Sequence, residues 1–208
     1  MAYLVLVRHG LSTYNKQGLW AGWDDPDLAE EGVEEAKKAA KAVADIHFDV
    51  AYVSVLLRAK HTLEIIKQEL GQSDIPVHIS KAINERNYGD FTRKNKWEIK
   101  QQLGEEQFQK LRRSWDFPIS NGESLKQVYE RVIPYYTQEI LPQLKMSKNV
   151  LVSSSGNALR SLVKYIDGIP DSEISHLEIG TGEVYVYSID KNGTVTDKDI
   201  RNRNAKSV

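Results

Sequence analysis

The sequence predicts an α/β fold of three layers, α/β/α, built on a mostly parallel central sheet. Two observations lead there. Short β-branched runs alternate with longer segments of helical periodicity, and the first run, "YLVLV", is apolar throughout, as expected of a strand buried on both faces. The 208 residues carry no internal repeat or low-complexity tract, so one domain spanning 1–208 is expected, large enough for a sizeable core.

The elements follow in order. Residues 3–7 form the first strand. Residues 30–45 form a helix in which Val33, Ala36, Ala40 and Val43 fall on one stripe. A strand at 48–54, a helix at 56–70, a strand at 77–80 and a helix at 95–113 come next. Residues 118–122, opening on Pro118 and closing on Gly122, read as a turn-rich connector. A helix at 123–145, a strand at 149–153, a helix at 158–167 and a strand at 183–189 complete the pattern. The tail after about residue 200 is polar and expected to be mobile.

Composition narrows the function. Apolar residues make up 40% and charged residues 27%, with 28 basic against 29 acidic side chains. Such a balance does not suggest a nucleic-acid partner, and any strongly positive site must be a local concentration. Cysteine is absent, which excludes disulfides, thiolate metal sites and cysteine nucleophiles. The five histidines lack zinc-site spacing, so no metal is expected. No leader pattern and no apolar run approaching ~20 residues is present, so no membrane association and a cytoplasmic location are expected.

In open α/β sheets ligands bind at the carboxyl ends of the strands. The first four predicted strands are followed by Arg8-His9-Gly10, by Ser54 to Arg58, by Asn84-Glu85-Arg86 and by Ser155-Gly156-Asn157. Any one of these reads equally well as a solvated strand end; four at one edge suggest a site. Their shared chemistry is phosphoryl transfer. A neutral imidazole at His9 can attack phosphorus, and the forked guanidiniums of Arg8 and Arg58 can grip the transferring oxygens. Ser12 and Asn15 add neutral donors, and the helix starts near Leu56 and Asn157 add backbone N–H groups. Glu85 reads either as a structural partner for an arginine or as an acid/base for a substrate hydroxyl.

The stretches "LVRHGLSTYN", "SVLLRAKHTL", "INERNYG", "LRRSW", "GESLKQVYERVIPYY" and "GNALRSLVKY" closely resemble the cofactor-dependent phosphoglycerate mutases of the histidine phosphatase superfamily, in order from about residue 4 to residue 200. The resemblance implies a phosphoglycerate mutase-like fold and interconversion of 3- and 2-phosphoglycerate, primed by 2,3-bisphosphoglycerate without a metal. It implies His9 as the phosphohistidine nucleophile, Arg8 and Arg58 beside the phosphoryl group, and Glu85 as proton donor and acceptor. Ser12, Asn15, Ala21, Gly22, Arg86, Tyr88, Lys96, Arg112, Arg113, Gly156 and Asn157 match positions around the substrate. The short stretch between Arg113 and Gly122 lacks the long insertion many such mutases carry, and either a monomer or a small homo-oligomer fits.

Two positions depart from the family pattern. Ala21 stands where a threonine is usual, a minor loss of one hydroxyl. Ser155 stands where the second catalytic histidine should precede Gly156-Asn157, and a serine cannot carry positive charge or reach as far as an imidazole. The expected cost is ~10²–10³ in rate, by analogy with loss of one preorganised donor. A phosphatase of the same superfamily and a weakened paralogue that binds phosphorylated metabolites are the alternatives to a working mutase.

Overall fold

Strand β1 (Ala2–Arg8) is apolar on both faces because it lies inside a sheet covered on both sides. The computed structural model describes residues 1–203. In it β1 is flanked by β4 (Val150–Ser154) and β5 (Val184–Ile189), and the whole sheet runs β3-β2-β4-β1-β5-β6, with β2 at Val50–Ser54, β3 at Val77–Ser80 and β6 at Val195–Arg201. The pairs β1·β4, β2·β4 and β2·β3 are parallel. The other side is antiparallel, β5 against β1 and β6 against β5, so the sheet is mixed.

Alternation along each strand divides the core. Leu4, Leu6, Tyr52, Val150, Val152, Tyr185 and Tyr187 face α5 (Leu125–Tyr135) and α7 (Gly156–Asp167). Val5, Val7, Ala51, Val53, Leu151, Val184 and Val186 face α2 (Glu30–Ala42) and α3 (Leu57–Glu69). The expected three layers are therefore present. Two further helices complete the set used below, α1 (Thr13–Lys16) and α4 (Lys96–Arg113), the latter broken at Gly104. A third apolar cluster of Trp20, Ile99, Phe108, Leu111 and Ile119 seats α4 beside the sheet's carboxyl edge.

Several expectations shift in detail. On α2 the buried stripe is Gly32, Ala36, Ala39 and Ala40, with Val33 only partly covered. The helix expected at 123–145 is α5, then a five-residue π segment at Tyr136–Ile140, then α6 (Leu141–Lys145). Pro142 cannot donate into the ladder, which accounts for the widened turn just before it. Strand β6 lies in a stretch to which no element was assigned and runs one residue into the expected polar tail. There Arg201 donates to Ala42 O and Asp45, and Asn202 to Gly182 O. Residues 204–208 of that tail lie outside the described residues.

Backbone packing fixes the loop that follows β1. A Cβ on Gly32 would lie 2.2 Å from Leu11 O, and one on Gly10 would lie 2.1 Å from Gly32 O. Alanine is worth about 1 kcal/mol over glycine within a helix, yet here it would push the chain bearing His9 away from α2. Gly32→Ala should therefore destabilise the fold by about 1–3 kcal/mol, as overpacking does. The check is thermal unfolding, with a midpoint lowered by roughly 2–4 °C per kcal/mol in a chain of this size.

Candidate active site

Because β1 to β4 run parallel, their carboxyl ends share one edge, and the groups that follow them meet there. His9 is buried, its backbone N–H bonded to Ser154 O of β4 at 2.9 Å. Its Nδ1 lies 2.7 Å from Gly10 O, a carbonyl that can only accept, so Nδ1 carries the proton and Nε2 the lone pair. Arg58 Nε donates to that Nε2 at 3.2 Å. Burial, reinforced by Arg58 and Arg8, holds the His9 imidazolium well below the usual histidine range. His9 is thus a neutral imidazole whose Nε2 lone pair accepts one hydrogen bond, from Arg58.

The two flanking guanidiniums are oriented by carbonyls. Arg58 donates to Gly22 O at 2.9 Å and Asp24 O at 3.0 Å, and Arg8 donates to Ile179 O at 2.6 Å. Arg8 Nε is buried without a hydrogen-bond partner. A Cβ at Gly156 would approach that atom to 3.4 Å, so glycine at the start of α7 keeps the guanidinium's flank open.

Glu85 stands opposite. Its Oε1 accepts from Arg86 N at 2.6 Å, Asn157 Nδ2 at 2.8 Å and Asn157 N at 3.3 Å, while Oε2 has only a 3.5 Å contact to Asn157 N. The turn bearing Glu85 is held by Arg131 of α5, which donates to Ala82 O, Asn84 O and Glu85 O and pairs with Glu123. Trp23 Nε1 donates to Glu85 O at 2.8 Å.

Together Arg8, His9, Asn15, Ala21, Gly22, Arg58, Glu85, Tyr88, Lys96, Arg112, Arg113, Gly156 and Asn157 line a cleft of about 650 Å³, including its open mouth. Lys96 opens α4 and Arg112 and Arg113 close it, so one helix brings three cations to the cleft. Burial, then the neighbouring Arg112 and Arg8, pushes the Lys96 ammonium down to about 7. Arg113 is lowered to about 10 by burial and Arg112, and pairs with Glu178.

Three expected residues are not on the wall. Ser12 caps α1 and binds Asn15 Oδ1, which engages one end of that amide. Arg86 is fully buried, stacked 4.6 Å from the Tyr88 ring and bonded to Leu111 O and Arg112 O, so it holds the end of α4. Ser155 is fully buried and its Oγ has no hydrogen-bond partner. Its side chain is too short to reach the cleft from the position it occupies. The backbone N–H expected from the start of α3 is also engaged, Leu57 N donating to Asp25 at 2.5 Å. Sequence reasoning missed Leu19, Trp20, Arg160 and Ile179 on the wall. Of these Arg160 had a signal, since it lies three residues after Asn157 and so shares its helix face.

The family model for the histidine phosphatase superfamily (branch 1) matches residues 4–199. The chain belongs to the histidine phosphatase superfamily. A superfamily relative, the 2,3-bisphosphoglycerate-dependent phosphoglycerate mutase of Parvibaculum lavamentivorans, is 46% identical over 199 residues, covering 95% of each chain. Among solved structures, the alpha-ribazole phosphatase from Shigella flexneri has a TM-score of 0.80 at 26% identity, covering 99% of this chain and 98% of that one. The phosphoglycerate mutase from Bacillus anthracis has a TM-score of 0.75 at 24% identity, covering 94% and 90%. One superfamily fold thus serves a mutase and a phosphatase, and the site must decide between them. Among the described residues no cluster of three or more histidine or carboxylate side chains could hold a metal ion, and no helix is long and apolar enough to cross a membrane.

Lys96 gives the cleft a pH signature. A bound anion favours its ammonium form, so above pH about 7 binding must take up a proton. Sulfate, which does not titrate in this range, should bind best below that pH and weaken above it, by at most about tenfold per pH unit for one linked proton. Calorimetry in buffers of different ionisation enthalpy checks this: proton uptake in the parent, and its loss in Lys96→Met.

Proposed function

We propose that this protein is a phosphoglycerate mutase that interconverts 3- and 2-phosphoglycerate through a phosphoryl group carried on His9. The observation that carries the reading is a neutral His9, its Nε2 held by Arg58 and with Arg8 nearby, in one cleft that Glu85, Lys96, Arg112 and Arg113 also line. Two groups of cations suit a substrate that is both phosphorylated and carboxylated.

The chemistry divides among these residues. With His9 charged, the substrate's free hydroxyl loses its proton to Glu85 as its oxygen bonds to phosphorus and the P–N bond breaks. In the return step His9 Nε2 bonds to the other phosphorus of the bisphosphorylated intermediate as that P–O ester bond breaks, and Glu85 gives the proton to the departing oxygen. Arg58 Nε, already bonded to His9 Nε2, is placed to transfer that bond to a phosphoryl oxygen, and the unpartnered Arg8 Nε can donate to another. A bisphosphorylated primer fits these donors, with Arg8 and Arg58 at one phosphate and Lys96, Arg112 and Arg113 at the rest. 2,3-Bisphosphoglycerate would supply the phosphoryl group that first charges His9. A cytoplasmic location and either a monomer or a homo-oligomer fit this reading.

Ser155 gives the alternatives their footing, because the residue before Gly156 has a buried hydroxyl that does not line the cleft in place of an imidazole. A coupled mutase assay with and without bisphosphoglycerate, run beside free-phosphate release, separates mutase, phosphatase and a binding relic. Incubation with bisphosphoglycerate should place an acid-labile, base-stable phosphoryl group on His9, absent in His9→Ala; label on Ser155 would overturn the mechanism.

Restoring the imidazole should act on the transition state and not on binding. Ser155→His is expected to raise kcat by ~10²-fold with little change in KM, as for one added preorganised donor. Steady-state kinetics checks this. No gain over a parent that already turns over at an ordinary rate would mean that another group has taken the histidine's role.

A further inference from the structure

Arg160 lies on α7, almost wholly buried, one turn after Asn157. Its NH1 donates to Asn157 Oδ1 at 2.9 Å, and its NH2 donates to Arg113 O at 2.9 Å and Ile174 O at 2.7 Å. A guanidinium has donors only, so it decides which end of the Asn157 amide faces it. The other end, Nδ2, is thereby turned to Glu85 Oε1 at 2.8 Å and Tyr88 OH at 3.1 Å. Flipping the amide would set N–H against guanidinium and oxygen against carboxylate. Asn157 therefore has no free polar group for a substrate, contrary to the contact its position implied.

We propose that Arg160 is a positioning residue for proton transfer: by fixing the Asn157 amide it pins Glu85 Oε1 and leaves Oε2 as the oxygen that exchanges the proton. The inference rests on the reading of Glu85 as acid and base. With three donors on Oε1 and one 3.5 Å contact on Oε2, only Oε2 has a lone pair to spare for a hydroxyl. Arg160 also ties the end of α4 to the segment preceding Ile179, so a purely structural role predicts a different outcome.

Two phosphate esters separate the roles. Phosphoglycerate esters leave as alkoxides and need a proton from Glu85, whereas p-nitrophenyl phosphate releases a stable phenolate and does not. Arg160→Gln should slow phosphoryl transfer to His9 from 2,3-bisphosphoglycerate by ~10²-fold, the scale of general acid catalysis. Transfer from p-nitrophenyl phosphate should fall at least about tenfold less, as expected of a lost proton donor. In the Glu85→Gln background, Arg160→Gln should add little further loss, since both changes disable one proton transfer. Arg160→Lys keeps the buried charge but not the fork, and should show the same selectivity between esters even if the glutamine variant does not fold. Equal losses on the two esters, or additive losses in the double variant, would overturn the proposal. Because the readout is transfer to His9, absence of mutase turnover in the parent would refute the mutase reading without affecting this test.

Discussion

Arg58 is buried and Arg8 partly buried near a neutral imidazole, and apart from the bond from Arg58 to His9 their hydrogen bonds go to the carbonyls of Ile179, Gly22 and Asp24 instead of to carboxylates. That choice governs the site. A buried charge without hydrogen bonds is very costly, and a carboxylate partner would cancel the positive field that a phosphoryl group needs. Carbonyls satisfy the N–H groups while leaving the charge in place. Burial, reinforced by the same field, holds the His9 imidazolium well below the usual histidine range and keeps the ring neutral.

Since the carbonyls belong to loops, the loops must be rigid. The segment after β1 is pressed between Gly10 and Gly32, and Thr62 Oγ1 accepts from Gly10 N while donating to Arg58 O, joining nucleophile loop to α3. Asp24 is tied to Arg93, and Gly180 N donates to Glu183 at the start of β5. The same device recurs at α4, whose last carbonyls, from Leu111 to Arg113, accept from Arg86 and Arg160. Cations at a helix carboxyl end also oppose its negative dipole, so Arg112 and Arg113 are presented without the helix fraying.

Glu85 meets the complementary requirement, an acid that must work among cations. Its backbone is clamped by Arg131 and Trp23, and its Oε1 by the Arg86 and Asn157 amides, which hold the carboxyl group in place without a direct ion pair to Arg8 or Arg58. Ser155, the residue directly after Arg8's partner Ser154 on β4, marks where the cleft lacks an imidazole. Its hydroxyl is buried and has no hydrogen-bond partner, while Arg8, His9 and Arg58 line the cleft beside it.

The sequence by itself determined the layers and most of the chemistry. Buried parallel strands need long apolar runs, helices need a periodic stripe, and both patterns are local, so β1 to β5 and the main helices were legible within a few residues. His9, Arg8, Arg58 and Glu85 were legible because each follows a strand end. Strand β6 was not, since an edge strand with one exposed face carries the polar run "VTDKDIR", and its order comes from β5 and from Lys198 packing over Tyr185 and Tyr187. Nor could the sequence say that Arg86 and Ser12 support the cleft without lining it, or that Asn157 is committed on every polar atom. Those outcomes depend on which donor meets which acceptor in the folded chain, as between Arg86 and Leu111 at a separation of 25 and between Asn157 and Glu85 at a separation of 72, and only the packed structure decides that.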